Sequence, residues 1–216
     1  MRPNAGTVAK EIAAAGRLPF ARARFLSLKS DLGDRAKLPF GFVRDCSRTL
    51  LGRGDAVFET AKEAFRRWRM FDMGWVRVAN PEAKITHGQV VAVEVKALGL
   101  WSINLSQIVE TVDFPSRFGF IYSATSAHVE EGEECFLLEH DRETDEVWYE
   151  LEAVSRPRAL MARIGLPVTW HFQHRFARDS HRRMREEVER GKSRSFDSPP
   201  PSSTPQTKTC LRGPGN

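Results

Sequence analysis

Cysteine is scarce in this sequence. Cys46, Cys135 and Cys210 are odd in number and widely spaced, and no two of them form a Cys-x-x-Cys pair. A disulfide framework, a cysteine zinc site and a redox dithiol all need paired cysteines, so this spacing argues against all three. A reducing compartment fits these cysteines best.

Long apolar runs are also absent. No window approaches the roughly 18 to 20 uninterrupted apolar residues that a membrane-spanning helix needs, and the N-terminus lacks the short apolar core of a secretory signal. We therefore expect a cytoplasmic protein without a transmembrane segment.

The sequence lacks the common motifs of nucleophilic and phosphate chemistry. It contains no Gly-x-Ser-x-Gly segment and no glycine loop that would hold a phosphate. No cofactor is therefore expected, and a binding role is favoured over an enzymatic one.

Charge is present in quantity but is unevenly distributed over the 216 residues. Residues 1–48 carry 10 basic and 4 acidic side chains, residues 49–170 carry 13 and 19, and residues 171–216 carry 10 and 5. An acidic central part repels phosphate, whereas nucleic-acid-binding domains usually place basic residues on the folded surface. Nucleic acid is therefore disfavoured as a partner.

Composition divides the chain into three parts. Residues 1–38 are rich in Ala and Arg and predict one or two weakly amphipathic helices separated by Pro19. Such a basic extension fits a transit peptide, a lineage-specific arm or an early start codon. Residues 191–216 are rich in Pro, Ser, Thr and Gly, which predicts a disordered tail. Residues 39–190 are expected to form the folded domain.

A helix is predicted after Gly54. In residues 55–75 the apolar side chains recur at the i, i+3, i+4, i+7 spacing of a helix with one buried face. Asp55 is the expected N-cap and Gly74 the expected end, and Lys62 is assigned to the solvated face.

From Gly74 onwards the apolar period changes to two. Alternating runs are separated by the turn-like segments ALG, FPSR, EEGEE and DRETDE, which predicts an antiparallel meander of five or six strands. The alternation changes phase between Leu105 and Ile108, so we expect a β-bulge near Ser106 and Gln107.

A long helix follows the meander. Phe172, Phe176, Met184 and Val188 form one apolar stripe along it. Because one sheet needs its apolar face covered, and only this helix is long enough, the two should pack together. With an early strand near residues 40–47, this order predicts an α+β fold. We expect a curved antiparallel sheet that wraps around the C-terminal helix and leaves a cavity between them, as in the helix-grip fold.

Five segments resemble a known family. They are FRRWRMFDMGWV, GQVVAVEVKALGLWSINLSQIVE, FGFIYSATSAHVEEGEECFLLE, VWYELEAVSRP and PVTWHFQHRF. Together they are similar to the bacterial and plant proteins of the domain-of-unknown-function family nineteen-ninety, over roughly residues 40–190. The resemblance implies a START-like, birch-pollen-allergen-like helix-grip fold with a cavity for an apolar or amphipathic molecule. It implies no particular activity.

Two groups of residues suggest metal binding and are interpreted otherwise. The segment AHVEEGEE, residues 127–134, combines a histidine with carboxylates, but neighbouring side chains of a hairpin point to opposite faces. We interpret it as a charged hairpin tip. His171, His174 and His181 lack a carboxylate or cysteine to complete a ligand set, so they are assigned to a solvated stripe and no metal is expected.

The candidate site is the polar minority on the inner face of the sheet. Alternation would bring Tyr122 and Tyr149 inward together, and buried hydroxyl groups need hydrogen-bond partners. A mostly apolar pocket with a few polar groups is typical of a small-molecule site, although the same groups would also satisfy one another in a closed core. The candidate ligand-binding residues are Asn104, Tyr122, Glu134, Tyr149, Arg156 and Gln173.

Three functional hypotheses follow. We expect a protein that binds a small hydrophobic or amphipathic molecule in an internal cavity. The first alternative is an enzyme on the same scaffold, with a cavity Tyr or Glu134 as its acid–base group. The second is an adaptor whose basic residues 1–38 bind nucleic acid or an anionic membrane.

Overall fold

The structure is a computed structural model that describes residues 2–17, 23–28, 38–125, 130–157 and 166–196. The helices are α1 (Ala5–Ala15), α2 (Asp55–Arg66) and α3 (Leu166–Phe196), with a 3₁₀ turn at Arg69–Phe71. The strands are β1 (Val43–Arg53), β2 (Val76–Val78), β3 (Val90–Ala97), β4 (Leu100–Phe114), β5 (Arg117–Ala124), β6 (Glu130–His140) and β7 (Glu146–Pro157).

All seven strands form one antiparallel sheet in the order β1-β7-β6-β5-β4-β3-β2. The sheet wraps around the long helix α3, which lies on its inner face. The predicted α+β class and helix-grip architecture are therefore confirmed. Antiparallel neighbours joined by short connections account for the order, because six of the seven strands follow one another along the chain.

The main core lies between the inner face of the sheet and the helices. Phe58 and Phe65 of α2 are at most 1% exposed, and Met184 and Val188 of α3 are fully buried in the same cluster. Full burial of such a side chain contributes about 1.5–3 kcal/mol. The apolar stripes predicted for both helices are the faces that they bury.

Two glycines allow neighbouring strands to approach closely. A Cβ atom at Gly119 would overlap the carbonyl oxygen of Phe136, and one at Gly132 would overlap that of Val154. Because the obstacles are backbone atoms, no side-chain movement relieves them. Glycine is therefore required where β5 approaches β6 and where β6 approaches β7.

The outer face of the sheet is also apolar, and α1 covers part of it. Val8 and Ala15 of α1 are buried against Val90, Ala92 and Leu105. This helix falls within the predicted N-terminal extension and accounts for the apolar side chains that β3 and β4 direct away from the main core.

Residues 23–28 cover the neighbouring part of the outer face. Glu133 is 2% exposed, and its carboxylate accepts hydrogen bonds from the backbone N–H groups of Arg24, Phe25 and Leu26 at 2.6, 2.9 and 3.0 Å. A single carboxylate thus holds three successive backbone amides of the N-terminal segment on the sheet.

Local details of β4 and α2 differ from the sequence prediction. The bulge lies between Ile108 and Glu110, because the pairing of β4 with β3 stays regular through Gln107. Gly54, with φ of 92°, is the N-cap of α2. Lys62 is 8% exposed, since α2 lies against the sheet at this point and the ammonium group meets the carboxylate of Asp113 at 3.1 Å.

The acidic segment and the final helix also differ from expectation. EEGEE belongs to β6, where Gly132 is opposite Ser155 and Glu134 is opposite Tyr122. His128 lies outside the described residues. Helix α3 continues to Phe196, beyond the predicted domain boundary at residue 190. Within the described parts of the chain, no helix combines the length and apolar character needed to cross a membrane.

Candidate ligand-binding cavity

A cavity of about 340 Å³ lies between the inner face of the sheet and the N-terminal half of α3. This volume is within the range of small-molecule sites. Most of the wall is apolar. The described lining residues are Asp45 and Ser47 of β1; Phe71, Trp75 and Val76; Val93, Val95, Ala97 and Leu98; Leu100, Trp101, Ser102 and Asn104 of β4; Tyr122; Glu134; Leu151, Glu152 and Ala153 of β7; and Phe172, Gln173, Phe176 and Ala177 of α3.

Aromatic rings connect the elements that form the wall. The ring centroid of Phe71, in the 3₁₀ turn, is 5.5 Å from that of Phe176 in α3 and 6.5 Å from that of Tyr122 in β5. The rings of Trp75 and Phe172 are 5.9 Å apart. Packing between these rings fixes the relative positions of the elements that form the cavity wall.

A short polar contact joins β5 and β6 on the cavity wall. The hydroxyl group of Tyr122 donates a hydrogen bond to Oε2 of Glu134 at 2.6 Å. The two residues are directly opposite in the strand pairing, so they share one face of the sheet. A phenol and a carboxyl group at this distance can hold or exchange a proton.

Strand β4 adds a second polar region. Asn104 and Ser102 are opposite Val93 and Val95 of β3, and all four line the cavity. Asn104 is 9% exposed, and its Oδ1 atom has no hydrogen-bond partner among the described residues. An unsatisfied buried polar group costs about 1–3 kcal/mol, a cost that a ligand with a suitable donor would remove.

Helix α3 contributes an amide to the same cavity. Gln173 donates through Nε2 to the hydroxyl oxygen of Ser155 at 3.0 Å. This contact ties the helix to β7 beside the cavity. The predicted residues Asn104, Tyr122, Glu134 and Gln173 are thus brought together by four different elements.

The ionisable groups on the described part of the wall are all acidic. They are Asp45, Glu134 and Glu152, and no Lys, Arg or His is among the described lining residues. The carboxylate of Glu152 is 2.7 Å from the guanidinium group of Arg44. Glu152 is opposite Cys135 of the outer-face cluster, so its carboxylate points away from the cavity, and the carboxylate of Asp45 is 3.7 Å from Nδ1 of His174.

Two of the candidate residues, Tyr149 and Arg156, are not among the described residues that line the cavity. Tyr149 is fully buried, with its hydroxyl 2.8 Å from Oγ of Ser180, and burial raises its pKa well above the ordinary value. It belongs to the core behind the cavity. Arg156 is half exposed and pairs with Glu131 at 2.8 Å. The β6–β7 register places the side chains of Arg156 and Glu131 opposite each other on the outer face.

Sequence reasoning missed the contribution of Ser102 and the direction of its neighbours. Hydrophobicity alone favours Ile103 and Leu105 as the side chains of β4 that face the main core, but they point outward and pack with residues of α1. The available signal was the alternating polar set Ser102, Asn104 and Ser106, which has the same period of two.

His181, assigned from the sequence to a solvated stripe, is 9% exposed. Its ring centroid is 5.2 Å from that of Tyr149 in an edge-to-face contact. Burial, together with the positive charge of Arg185, lowers the pKa of His181 to about 4. The imidazole is therefore neutral near neutral pH.

A metal centre has no support within the described part of the chain. There, no three or more His, Cys, Asp or Glu side chains are grouped so as to hold a metal ion. His128 of the acidic segment lies outside the described residues, so its part in such a site stays untested.

A curved antiparallel sheet around a C-terminal helix, with a mostly apolar cavity between them, defines a helix-grip protein with a candidate small-molecule site. The chain belongs to the family described as "Domain of unknown function (DUF1990)", whose profile matches residues 28–183. The family membership predicted from the five segments is therefore confirmed.

Relatives come from distant organisms. A UPF0548 protein of Dictyostelium discoideum is 32% identical over 154 residues, covering 66% of this chain and 71% of its own length. A UPF0548 protein of Deinococcus radiodurans is 34% identical over 142 residues, covering 61% and 71%. Relatives in an amoeba and a bacterium do not assign this chain to bacteria. Among solved structures, Ara h 8.0201 has a TM-score of 0.48 and 11% identity, covering 69% of this chain and 99% of that chain.

Proposed function

We propose that the protein binds a small, mainly apolar molecule in the cavity between the sheet and α3. The observation that carries the proposal is a cavity of about 340 Å³ whose mainly apolar wall also presents the Asn104 amide and the Tyr122–Glu134 pair. Protein interiors leave few voids larger than a water molecule. An apolar cavity of this size with a few placed polar groups supports a ligand site.

The cavity does not bear on the cellular location or on the adaptor hypothesis. A cytoplasmic location stays a prediction from the sequence; of the described cysteines, Cys46 is exposed, Cys135 is buried and both are free thiols. The basic-armed adaptor has less support, because α1 and residues 23–28 lie against the outer face of the sheet.

The binding proposal is tested by filling the cavity. The fluorescent reporter is N-phenyl-1-naphthylamine, an uncharged aromatic amine whose emission rises in apolar surroundings. Ala177 lines the cavity, and Ala177→Phe adds a ring inside it. The matched control is Arg178→Phe, on the same helix at a side chain that is 73% exposed.

We expect the wild type and Arg178→Phe to bind the reporter alike, and Ala177→Phe to weaken binding by at least about tenfold. Circular dichroism and thermal unfolding verify that both variants are folded. Equal reporter binding by the two variants would place the ligand outside the cavity. Failure of the folded wild type to bind the reporter would contradict the proposal.

A second candidate function is an enzyme on this scaffold. It is favoured by the 2.6 Å contact between the Tyr122 hydroxyl and Glu134 beside the cavity, which provides a proton donor and acceptor. Glu134→Gln keeps the size of the side chain but removes its basicity. For an enzyme, this change would abolish turnover and retain ligand affinity; unchanged turnover would exclude Glu134 as the base.

A further inference from the structure

We infer that the tip of the β3–β4 hairpin, residues 97–100, docks on the surface of an anionic lipid membrane and holds the mouth of the cavity against it. Leu98 and Leu100 provide the apolar part of this contact, and the neighbouring Lys96 and Arg2 provide the positive charge. The contact goes beyond the proposed function, because it concerns a surface of the protein rather than the ligand inside the cavity.

The two leucines of the tip are exposed although they also line the cavity. Leu98 and Leu100 are 72% and 71% exposed, and both belong to the described cavity wall. Residues that meet both the solvent and the cavity lie at its mouth. Single exposed apolar side chains are ordinary, whereas adjacent ones beside a cavity are typical of an interaction site.

The turn of this hairpin is unfavourable for leucine. Ala97 is paired with Leu100, so Leu98 and Gly99 form a two-residue loop, and their φ angles are 50° and 81°. Such a loop favours Asn-Gly, because both residues need a positive φ. Leu98 thus combines a left-handed backbone with an apolar side chain in water, and neither feature stabilises the fold. Residues held in such conformations cluster at functional sites.

Positive charge lies beside the apolar tip. Lys96 is exposed and is directly opposite Trp101 in the β3–β4 pairing, and the guanidinium group of Arg2 is 5.4 Å from the centroid of the Trp101 ring. The single acidic residue of β3, Glu94, is 1% exposed and pairs with both Arg2 and Arg77. Three cationic side chains against one carboxylate give a net positive surface, which attracts anionic headgroups.

A membrane fits this surface better than a protein partner does. A stable protein interface buries roughly 800 Å² on each partner, which two leucines and one half-buried tryptophan cannot supply. Peripheral membrane binding instead combines a small buried apolar area with electrostatic attraction to anionic lipids. The leucines and the cationic side chains of the hairpin provide both contributions on one side of the molecule.

Cosedimentation with lipid vesicles tests the contact. The vesicles consist of phosphatidylcholine, either alone or with about one-third phosphatidylserine. The test variant combines Leu98→Asn, which gives the loop its favoured sequence, with Leu100→Thr, which keeps a good strand residue. The matched control is Phe114→Thr, which removes a 63% exposed apolar side chain from the other end of β4.

We expect the wild type and Phe114→Thr to bind the anionic vesicles alike, and the double variant to bind them at least about tenfold more weakly. Thermal unfolding should show a double variant as stable as the wild type, so that weaker binding is not due to unfolding. Lys96→Gln should weaken binding to the anionic vesicles by about fivefold and leave binding to the neutral vesicles unchanged.

Three outcomes would overturn the inference. They are vesicle binding retained by the folded double variant, a folded wild type that binds neither kind of vesicle, and equal wild-type binding to neutral and anionic vesicles. A wild-type dimer that only the double variant dissociates, without vesicle binding, would make the partner a second copy of the chain and overturn the membrane assignment as well.

These outcomes are read separately from ligand binding, because the vesicle measurement uses no cavity ligand. A wild type that binds the anionic vesicles but not N-phenyl-1-naphthylamine would keep the docking surface and contradict the proposed function. A wild type that binds the reporter but no vesicles would keep the proposed function and contradict the docking surface.

Discussion

Replacing Glu133 with alanine removes the acceptor that holds residues 23–28 on the outer face of the sheet. Glu133 accepts three backbone N–H bonds at 2.6, 2.9 and 3.0 Å. A hydrogen bond to a charged group contributes about 1.5–3 kcal/mol. In the variant the segment can detach and hydrate its amides, so the three contributions are not lost in full.

The net change in the free energy of unfolding is the stabilisation that the attached segment provides minus the entropy cost of ordering that segment. Leu26 and Leu28 are 7% and 3% exposed, and their burial contributes about 1.5–3 kcal/mol each. Ordering each residue of the segment costs about 1–2 kcal/mol of backbone entropy, which offsets most of the gain. We therefore expect Glu133→Ala to lower the free energy of unfolding by about 3 kcal/mol.

Urea unfolding followed by tryptophan fluorescence measures this change, and hydrogen exchange shows whether the amides of Arg24, Phe25 and Leu26 lose protection. The matched control is Glu131→Ala, on the same face of β6. Glu131 pairs with Arg156 at 2.8 Å and with the exposed guanidinium group of Arg24 at 3.8 Å, and a surface ion pair contributes at most about 1 kcal/mol. Equal destabilisation by the two variants, or unchanged protection in Glu133→Ala, would refute the reasoning.

Two further predictions concern pH. Burial and the nearby Glu139 carboxylate raise the pKa of Glu150 to about 7 from an ordinary 4.5. The folded state therefore holds this proton more tightly, and stability falls as the pH rises between these values. Glu150→Gln should be more stable than the wild type at pH 8 and similar to it at pH 4.5, as measured by urea unfolding; an equal difference at both pH values would contradict this. For His181 the pKa is about 4 against an ordinary 6.5, so the unfolded state takes up the proton first and stability falls as the pH decreases through this range. His181→Phe should lose less stability than the wild type between pH 6.5 and pH 4, and an unchanged acid dependence would show that His181 is protonated in the folded state.

The fold could be predicted because its elements have distinct apolar periods. The period of 3.6 in α2 and α3 and the period of two in the strands identify which residues are buried, and the short connections impose antiparallel neighbours. The sequence does not show that both faces of the sheet are covered. Since α1 buries Leu105 on the outer face, hydrophobicity alone could not reveal that Asn104 faces inward beside Val93.

The site could be predicted only in part, for a related reason. Alternation identified Tyr122 and Glu134 as candidates, but their contact depends on the β5–β6 register, which sets them directly opposite each other. Register likewise turns Arg156 outward towards Glu131. Tyr149 does point inward, but its hydroxyl group is hydrogen-bonded to Ser180 of α3. That contact joins residues far apart in the chain, which no local pattern indicates.

The central claim is that the cavity holds one small, mainly apolar molecule. Native mass spectrometry of the wild type, Ala177→Phe and Arg178→Phe, each produced in cells of the protein's natural source, tests it most directly. The account predicts a small-molecule adduct, one per chain and released on denaturation, in the wild type and Arg178→Phe but absent from folded Ala177→Phe. An adduct of equal abundance in Ala177→Phe would contradict it, as would a bare wild-type mass that N-phenyl-1-naphthylamine leaves unchanged.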